Sequence, residues 1–280
     1  MTLESDLSLP PSPMEGTPPA EAETAFAATP PPSATPWLRV SPWSGWDVLL
    51  LVGVTIAASF VFSLLVLVPA QLFIFKNVPL AELAKTPELL LLIQLLAYAV
   101  VFAVMYSMLR ARAGSFWKTI GWNWPGSSWA AYIGVGAVAF FALASLGRLL
   151  PIPHNLPIEN FFENARQATL MSVFATAIAP IMEELFFRGF LYPVLARRIS
   201  MVPSILLTSL AFGMLHGGQL KYSWAAVLII FLIGVILTTV RARTNSVAAS
   251  FLVHVGYNGM LSVLLYVGTG GFRHLEKLNQ

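Results

Sequence analysis

The sequence predicts an all-α, polytopic transmembrane helical bundle of about seven spanning helices. One basis is composition: 57% of the residues are hydrophobic and only 10% are charged, whereas soluble domains average about 25% charged residues. The other is pattern. From Asp47 onward, apolar stretches close to the ~20 residues that cross a bilayer alternate with short polar breaks. A net charge of +3 without a basic run argues against a nucleic-acid partner, and the absence of cysteine excludes disulfides and thiolate chemistry.

Residues 1–40 are expected to form a disordered tail rich in proline and alanine. The tail contains the run PPPSATP, and a segment of this composition cannot bury enough apolar area to offset its ordering entropy. It also lacks the basic and apolar regions of a signal peptide. We divide the rest into N-terminal transmembrane helices with an interfacial segment (41–168), a C-terminal transmembrane core (169–268) and a short tail (269–280).

Seven segments are apolar enough to be interpreted as spanning helices. They are Asp47–Phe75, Leu89–Leu109, Trp129–Leu150, Thr169–Ala196, Val202–Gly217, Trp224–Val240 and Ser246–Val267. The segment Phe116–Pro125 carries three tryptophans and a lysine, which suits the membrane–water interface. If all seven segments span, the two sides carry eight and seven basic residues, a difference that favours a cytoplasmic N-terminus only slightly. In a bacterium, such a multi-pass protein would lie in the plasma membrane.

Three ionisable residues interrupt the apolar part of the fourth segment, IAPIMEELFFRGFLYPVLARR: Glu183, Glu184 and Arg188. Glu184 and Arg188 are four residues apart, so they share a helix face and can pair. Such a pair would fix the local field, while Glu183 points about 100° away without a local partner. Ionisable groups within a membrane indicate a functional site by default. The structural alternative is a buried ion pair with a spare carboxylate near the interface.

The fifth and seventh segments contribute three more polar residues. His216 closes the fifth segment in AFGMLHGG, and His254 and Asn258 are four residues apart in SFLVHVGYNGM. Taken separately, they could be a helix-terminal histidine at the interface and a hydrogen-bonding pair between helices.

Depth favours a shared site for these groups. Glu183 lies 17 residues before Ser200 and His216 lies 16 residues after it, so both are about 25 Å from the turn between their helices. His254 and Asn258 lie roughly 15–20 Å from a turn on the same membrane side. Independent structural pairs have no reason to share a level, so these four polar groups are expected to converge within the membrane.

A carboxylate, two imidazoles and an amide at one level suit the hydrolysis of an acyl bond. Glu183 and His216 together are expected to deprotonate a water and later to protonate the leaving amine. His254 and Asn258 are expected to donate hydrogen bonds to the developing oxyanion. This scheme requires no cofactor. However, Glu183, His216 and His254 would also suit Zn²⁺ or another divalent metal, and the sequence leaves the choice open.

Three sequence blocks occur in this order on the apolar segments: EExxxR (Glu183, Glu184, Arg188), FxxxH (Phe212, His216) and HxxxN (His254, Asn258). Together they resemble the CPBP (CAAX protease / Abi) family of intramembrane proteases, which includes the type II CAAX prenyl endopeptidases. The likeness covers about residues 169–267. It implies a glutamic-type intramembrane endopeptidase that acts on a membrane-associated peptide or protein, with the catalytic roles given above and with Glu184 and Arg188 in support.

Two alternatives remain open at this stage. One is a non-catalytic binding or immunity protein on the same fold, although intact Glu183, His216, His254 and Asn258 favour an enzyme. The other is a small transporter that relays protons through its intramembrane glutamates and histidines. Transporters often contain internal repeats with paired broken helices, and here the polar residues are confined to the C-terminal half.

Overall fold

The computed structural model describes residues 42–153 and 156–275, and every regular element among them is helical. The helices are α1 (Gly45–Pro69), α2 (Leu80–Leu83), α3 (Pro87–Ala113), α4 (Phe116–Ile120), α5 (Trp129–Gly147), α6 (Ala165–Val173), α7 (Ala179–Glu184), α8 (Tyr192–Arg198), α9 (Met201–Leu215), α10 (Trp224–Thr244) and α11 (Val247–Gly268). Turns of π-helix follow α1, α6 and α7 at Ala70–Ile74, Phe174–Ile178 and Leu185–Leu191. The tail expected at residues 1–40 lies outside the described residues.

Among the described residues, six helices are long and apolar enough to cross a membrane, which confirms the all-α polytopic fold. They are Gly45–Ile74, Pro87–Ala113, Gly126–Gly147, Ala165–Arg198, Trp224–Thr244 and Val247–Gly268. The fifth predicted segment is shorter: α9 has 15 residues, about 22 Å of helix against a hydrocarbon core of about 30 Å. Because α9 begins at the turn that ends α8, its short length leaves its last residues at membrane depth.

The span Ala165–Arg198 joins α6, α7 and α8 through two π-helical turns, and we call it the central helix. It lies between two apolar clusters. Leu185 and Phe190 pack with buried residues of α1, α3 and α4, whereas Phe187 packs with α5, α9, α10 and α11. The glutamates and Arg188 of the sequence motif are therefore on the helix that both halves of the bundle surround.

The segment predicted to lie at the membrane interface also braces the central helix. Trp117 and Trp124 are exposed, as expected for interfacial residues, but Phe116 and Ile120 of α4 are buried. A Cβ added at Gly189 would come within 2.5 Å of the Ile120 side chain. The absence of a side chain at position 189 thus allows α4 to pack directly on the central helix.

The residues that precede and begin α1 tie it to the central helix and to α3. Trp43 Nε1 donates to the Phe190 carbonyl (3.0 Å), and Arg197 Nη2 donates to the Trp43 carbonyl (2.8 Å). At the start of α1, Asp47 forms an ion pair of 2.9 Å with Arg112 near the end of α3. These contacts fix the end of the central helix that lies beyond the glutamates.

Helix α11, which carries His254, packs against α5 with the two backbones in direct contact. A Cβ at Gly136 would lie 2.0 Å from the Val253 carbonyl oxygen, and a Cβ at Gly256 would lie 2.2 Å from that of Ile133. Small residues allow such close approach between transmembrane helices. The two glycines therefore set the position of α11 next to His254.

We predict that Gly136→Ala lowers the free energy of unfolding by about 1–3 kcal/mol, because the added methyl group must push the α5 and α11 backbones apart. Thermal unfolding of the purified protein in detergent measures the effect. Gly134→Ala is the matched control on the same helix, since nothing lies within 4 Å of a Cβ at that position. Equal unfolding temperatures for the two variants would contradict the close α5–α11 contact.

Candidate active site

Glu184 and Arg188 form the ion pair that their spacing predicted. Arg188 Nη1 lies 2.9 Å from Glu184 Oε1, and neither side chain is exposed at all. The other two nitrogens of the guanidinium also donate: Nε donates to Thr238 Oγ1 and Nη2 donates to the Gly234 carbonyl, both at 3.2 Å. The guanidinium carbon of Arg188 lies 4.6 Å from the ring centroid of Phe212, a cation–π contact. A buried charge is stable only when such hydrogen bonds and a counter-charge replace its contacts with water.

Glu184 also binds α11 through two side chains. Ser250 Oγ donates to Glu184 Oε2 at 2.6 Å, and His254 Nδ1 lies 3.0 Å from Glu184 Oε1. An ionised carboxylate only accepts hydrogen bonds, so His254 Nδ1 carries the proton of this contact. The imidazole therefore presents Nε2 on its other side, 3.7 Å from Glu183 Oε2.

His216 is oriented in the same way by a different partner. It caps the C-terminus of α9, and its Nδ1 lies 2.8 Å from the Phe212 carbonyl. A carbonyl oxygen only accepts, so Nδ1 is the protonated nitrogen and Nε2 is free to face the site. Nε2 lies 3.9 Å from Glu183 Oε1. Phe212, the first residue of the FxxxH block, thus holds His216 through its backbone and Arg188 through its ring.

Of the four groups that the depth argument expected to converge, Glu183, His216 and His254 come together, each from a different helix. The Glu183 side chain is 15% exposed and that of His216 is 20% exposed. A water about 2.8 Å from both Glu183 Oε1 and His216 Nε2 fits their 3.9 Å separation at an angle near 90°. The arrangement can thus hold a water between a carboxylate and an imidazole.

Asn258 lies one turn beyond His254, and its amide contacts the central helix. Asn258 Nδ2 donates to the Ala175 carbonyl at 2.7 Å. Ala175 lies in the π-helical turn Phe174–Ile178, in which each N–H donates to the carbonyl five residues earlier, as Ala179 does to Phe174. The next donor in that series would be Pro180, which has no N–H. One N–H of Asn258 therefore substitutes for a missing backbone donor, and the second N–H remains for another acceptor.

Three polar contributors to this cluster were not identified from the sequence as site residues. Ser250 lies four residues before His254 and Thr238 lies on α10, but hydroxyl residues are common in membrane helices and carry little signal. Arg241 was counted among the charges of a polar break. The structure instead places it within α10, where it is 1% exposed and its Nε donates to the Arg188 carbonyl at 3.1 Å. Helix α10 continues to Thr244, four residues beyond the predicted end of its segment.

The sequence also left open a divalent metal ion bound by the glutamate and the two histidines. Among residues 42–153 and 156–275, no group of three or more His, Asp or Glu side chains is arranged to hold a metal ion. The sequence suggested Glu183, His216 and His254 as the metal ligands, and these three side chains do not form such a group.

The family comparison agrees with the motifs. Residues 165–260, about a third of the chain, match the family described as type II CAAX prenyl endopeptidase Rce1-like. This range contains the whole central helix and all residues of the three sequence blocks. No curated protein and no solved structure matches the chain significantly. The match supports the resemblance of this part of the chain to the CPBP (CAAX protease) family, and the six long apolar helices among the described residues make the chain a multi-pass membrane protein.

Proposed function

We propose that this protein is a glutamic-type intramembrane endopeptidase that hydrolyses a peptide bond of a membrane-associated substrate, including substrates that carry a lipid. The observation that supports the proposal best is the convergence of Glu183 with the Nε2 atoms of His216 and His254, at 3.9 and 3.7 Å. Both imidazoles have their Nδ1 atoms occupied, so both offer their remaining nitrogen to the same carboxylate.

The first step is attack by water. Glu183, assisted by His216, removes a proton from the bound water, and the hydroxide oxygen adds to the carbonyl carbon of the scissile bond. The electron pair of the carbonyl bond moves to oxygen and gives a tetrahedral oxyanion. The side chain of Glu183 is 15% exposed, which leaves room for the water to enter.

The oxyanion is stabilised from α11. Because His254 Nδ1–H is already directed at Glu184, His254 can donate from Nε2 only when both ring nitrogens carry a proton, and the Glu184 carboxylate would stabilise that positive charge. Asn258 donates the N–H that the Ala175 carbonyl does not use. The proton taken from water then passes from Glu183 or His216 to the amide nitrogen. The C–N bond breaks, and a carboxylic acid and an amine leave.

We predict that Glu183→Gln and His216→Ala each lower kcat by about 10²–10⁴-fold, the usual contribution of a positioned acid–base group. Turnover of a panel of quenched fluorogenic peptides, with and without a lipid at the C-terminus, measures this in nanodiscs. Glu82→Gln is the control, since Glu82 forms an exposed ion pair with Lys85. Normal turnover in Glu183→Gln would exclude the role given to that carboxylate. No cleavage of any peptide by the wild-type protein would favour a binding protein on the same fold.

The proposal contains no metal, and we predict that a strong chelator leaves wild-type turnover unchanged. The same peptide assay is repeated after incubation with chelator, and metal content is measured in parallel. If the chelator abolished cleavage and added Zn²⁺ restored it, the water would be activated by a metal and the glutamic-type assignment would be wrong.

We predict that Arg188→Ala destabilises the protein by about 3–5 kcal/mol, because it leaves the carboxylate of Glu184 buried without its counter-charge. The double variant Arg188→Ala/Glu184→Gln should regain part of the unfolding temperature, since no unpaired charge remains. It should not regain turnover, because His254 has then lost the carboxylate that orients it. A double variant no more stable than Arg188→Ala alone would show that the pair is not the source of the loss.

A further inference from the structure

Two prolines interrupt the central helix in the same way. Pro180 and Pro193 each lie two residues beyond a π-helical turn, which ends at Ile178 in one case and at Leu191 in the other. The last π-type bond before Pro193 runs from Tyr192 N–H to the Phe187 carbonyl. Continuation of the series would require Pro193 to donate to the Arg188 carbonyl, and proline has no N–H to donate.

The Arg188 carbonyl is satisfied by a side chain from α10. Arg241 Nε donates to it at 3.1 Å, as Asn258 Nδ2 donates to the Ala175 carbonyl that faces Pro180. A backbone carbonyl within a membrane must find a partner inside the protein. The same solution at two sites, each opposite a proline, indicates that these side chains replace the missing backbone donors.

One face of α10 contacts Arg188 at three positions. The Gly234 carbonyl and the Thr238 hydroxyl accept from the Arg188 guanidinium, and Arg241 donates to the Arg188 carbonyl. Positions 234, 238 and 241 are separated by four and three residues, so they share one helix face. Arg188 is therefore held by α10 at both its side chain and its backbone.

The loop after α4 leaves space for the Arg241 guanidinium. A Cβ added at Gly121 would lie 2.9 Å from Arg241 Nη2. Gly121 also has φ +79°, a conformation that glycine adopts without strain. The position that packs on the guanidinium thus has the one residue that fits there, an observation independent of the hydrogen bond to Arg188.

We propose that Arg241 is a positioning residue for the active site: it substitutes for the N–H that Pro193 lacks and so fixes the π-helical turn from which Arg188 reaches Glu184. The effect passes to the reacting groups in two steps. Arg188 holds the Glu184 carboxylate, and Glu184 orients His254. The proposal concerns the geometry of the central helix and goes beyond the peptidase reaction.

The test is a rescue experiment on the full-length protein in nanodiscs. Arg241→Met removes the donor, and Pro193→Ala supplies a backbone N–H at the position where one is missing. We expect Arg241→Met to lower the unfolding temperature and to reduce kcat about tenfold, with little change in KM, as for loss of a hydrogen bond from a charged donor. The double variant Arg241→Met/Pro193→Ala should regain most of both losses.

Two controls make the rescue specific. Arg243→Met removes the same charge from an exposed position two residues along α10 and should leave the unfolding temperature and kcat unchanged. Pro180→Ala supplies an N–H at the other proline of the central helix and should not rescue Arg241→Met. If Arg241→Met fails to fold, the double variant should still insert and fold.

The unfolding temperatures require no substrate, so they test the proposal even if the protein cleaves no peptide. Additive effects of Arg241→Met and Pro193→Ala, or equal rescue by Pro180→Ala, would overturn it. Recovery of the unfolding temperature without recovery of kcat would overturn the positioning role.

Discussion

The buried carboxylate of Glu184 is the constraint on which the site depends. A charge with no exposed surface inside a membrane bundle is stable only when a counter-charge and hydrogen bonds replace water. Arg188, Ser250 and His254 provide these for Glu184 at 2.9, 2.6 and 3.0 Å. Arg188 is in turn bound by α10 and Ser250 and His254 belong to α11, so a single carboxylate fixes the relative positions of three helices.

The two adjacent glutamates lie in different surroundings. Consecutive residues on a helix point about 100° apart, so when Glu184 is turned into the packed interior, Glu183 must face a different direction. Glu183 faces the Nε2 atoms of His216 and His254, and its side chain is 15% exposed. The Glu184 carboxylate is buried and paired with Arg188, while the Glu183 carboxylate faces two histidines and is partly exposed. The two environments could not be exchanged without rotation of the central helix.

The sequence was sufficient for the parts of this site that depend on regular helices. Spacing along ideal helices predicted the Glu184–Arg188 pair and the common depth of Glu183, His216 and His254. It could not predict contacts that depend on where a helix ends or departs from the α-helical pattern. Arg241 was assigned to a polar break because α10 was expected to end at Val240, whereas packing against the central helix and Gly121 extends the helix and buries the guanidinium. The contact of Asn258 with Ala175 depends on a π-helical turn that periodicity does not reveal.

The two π-helical turns of the central helix also explain why the site forms only in the assembled bundle. Each of these turns is followed by a proline, so the isolated helix would leave the Ala175 and Arg188 carbonyls without backbone donors. In lipid, a carbonyl without a hydrogen-bond donor favours other backbone conformations until a neighbouring helix supplies the donor. Asn258 of α11 and Arg241 of α10 supply it, and these same helices provide His254 and the acceptors for Arg188. Docking of the α10–α11 hairpin therefore satisfies the central helix and completes the site in the same event.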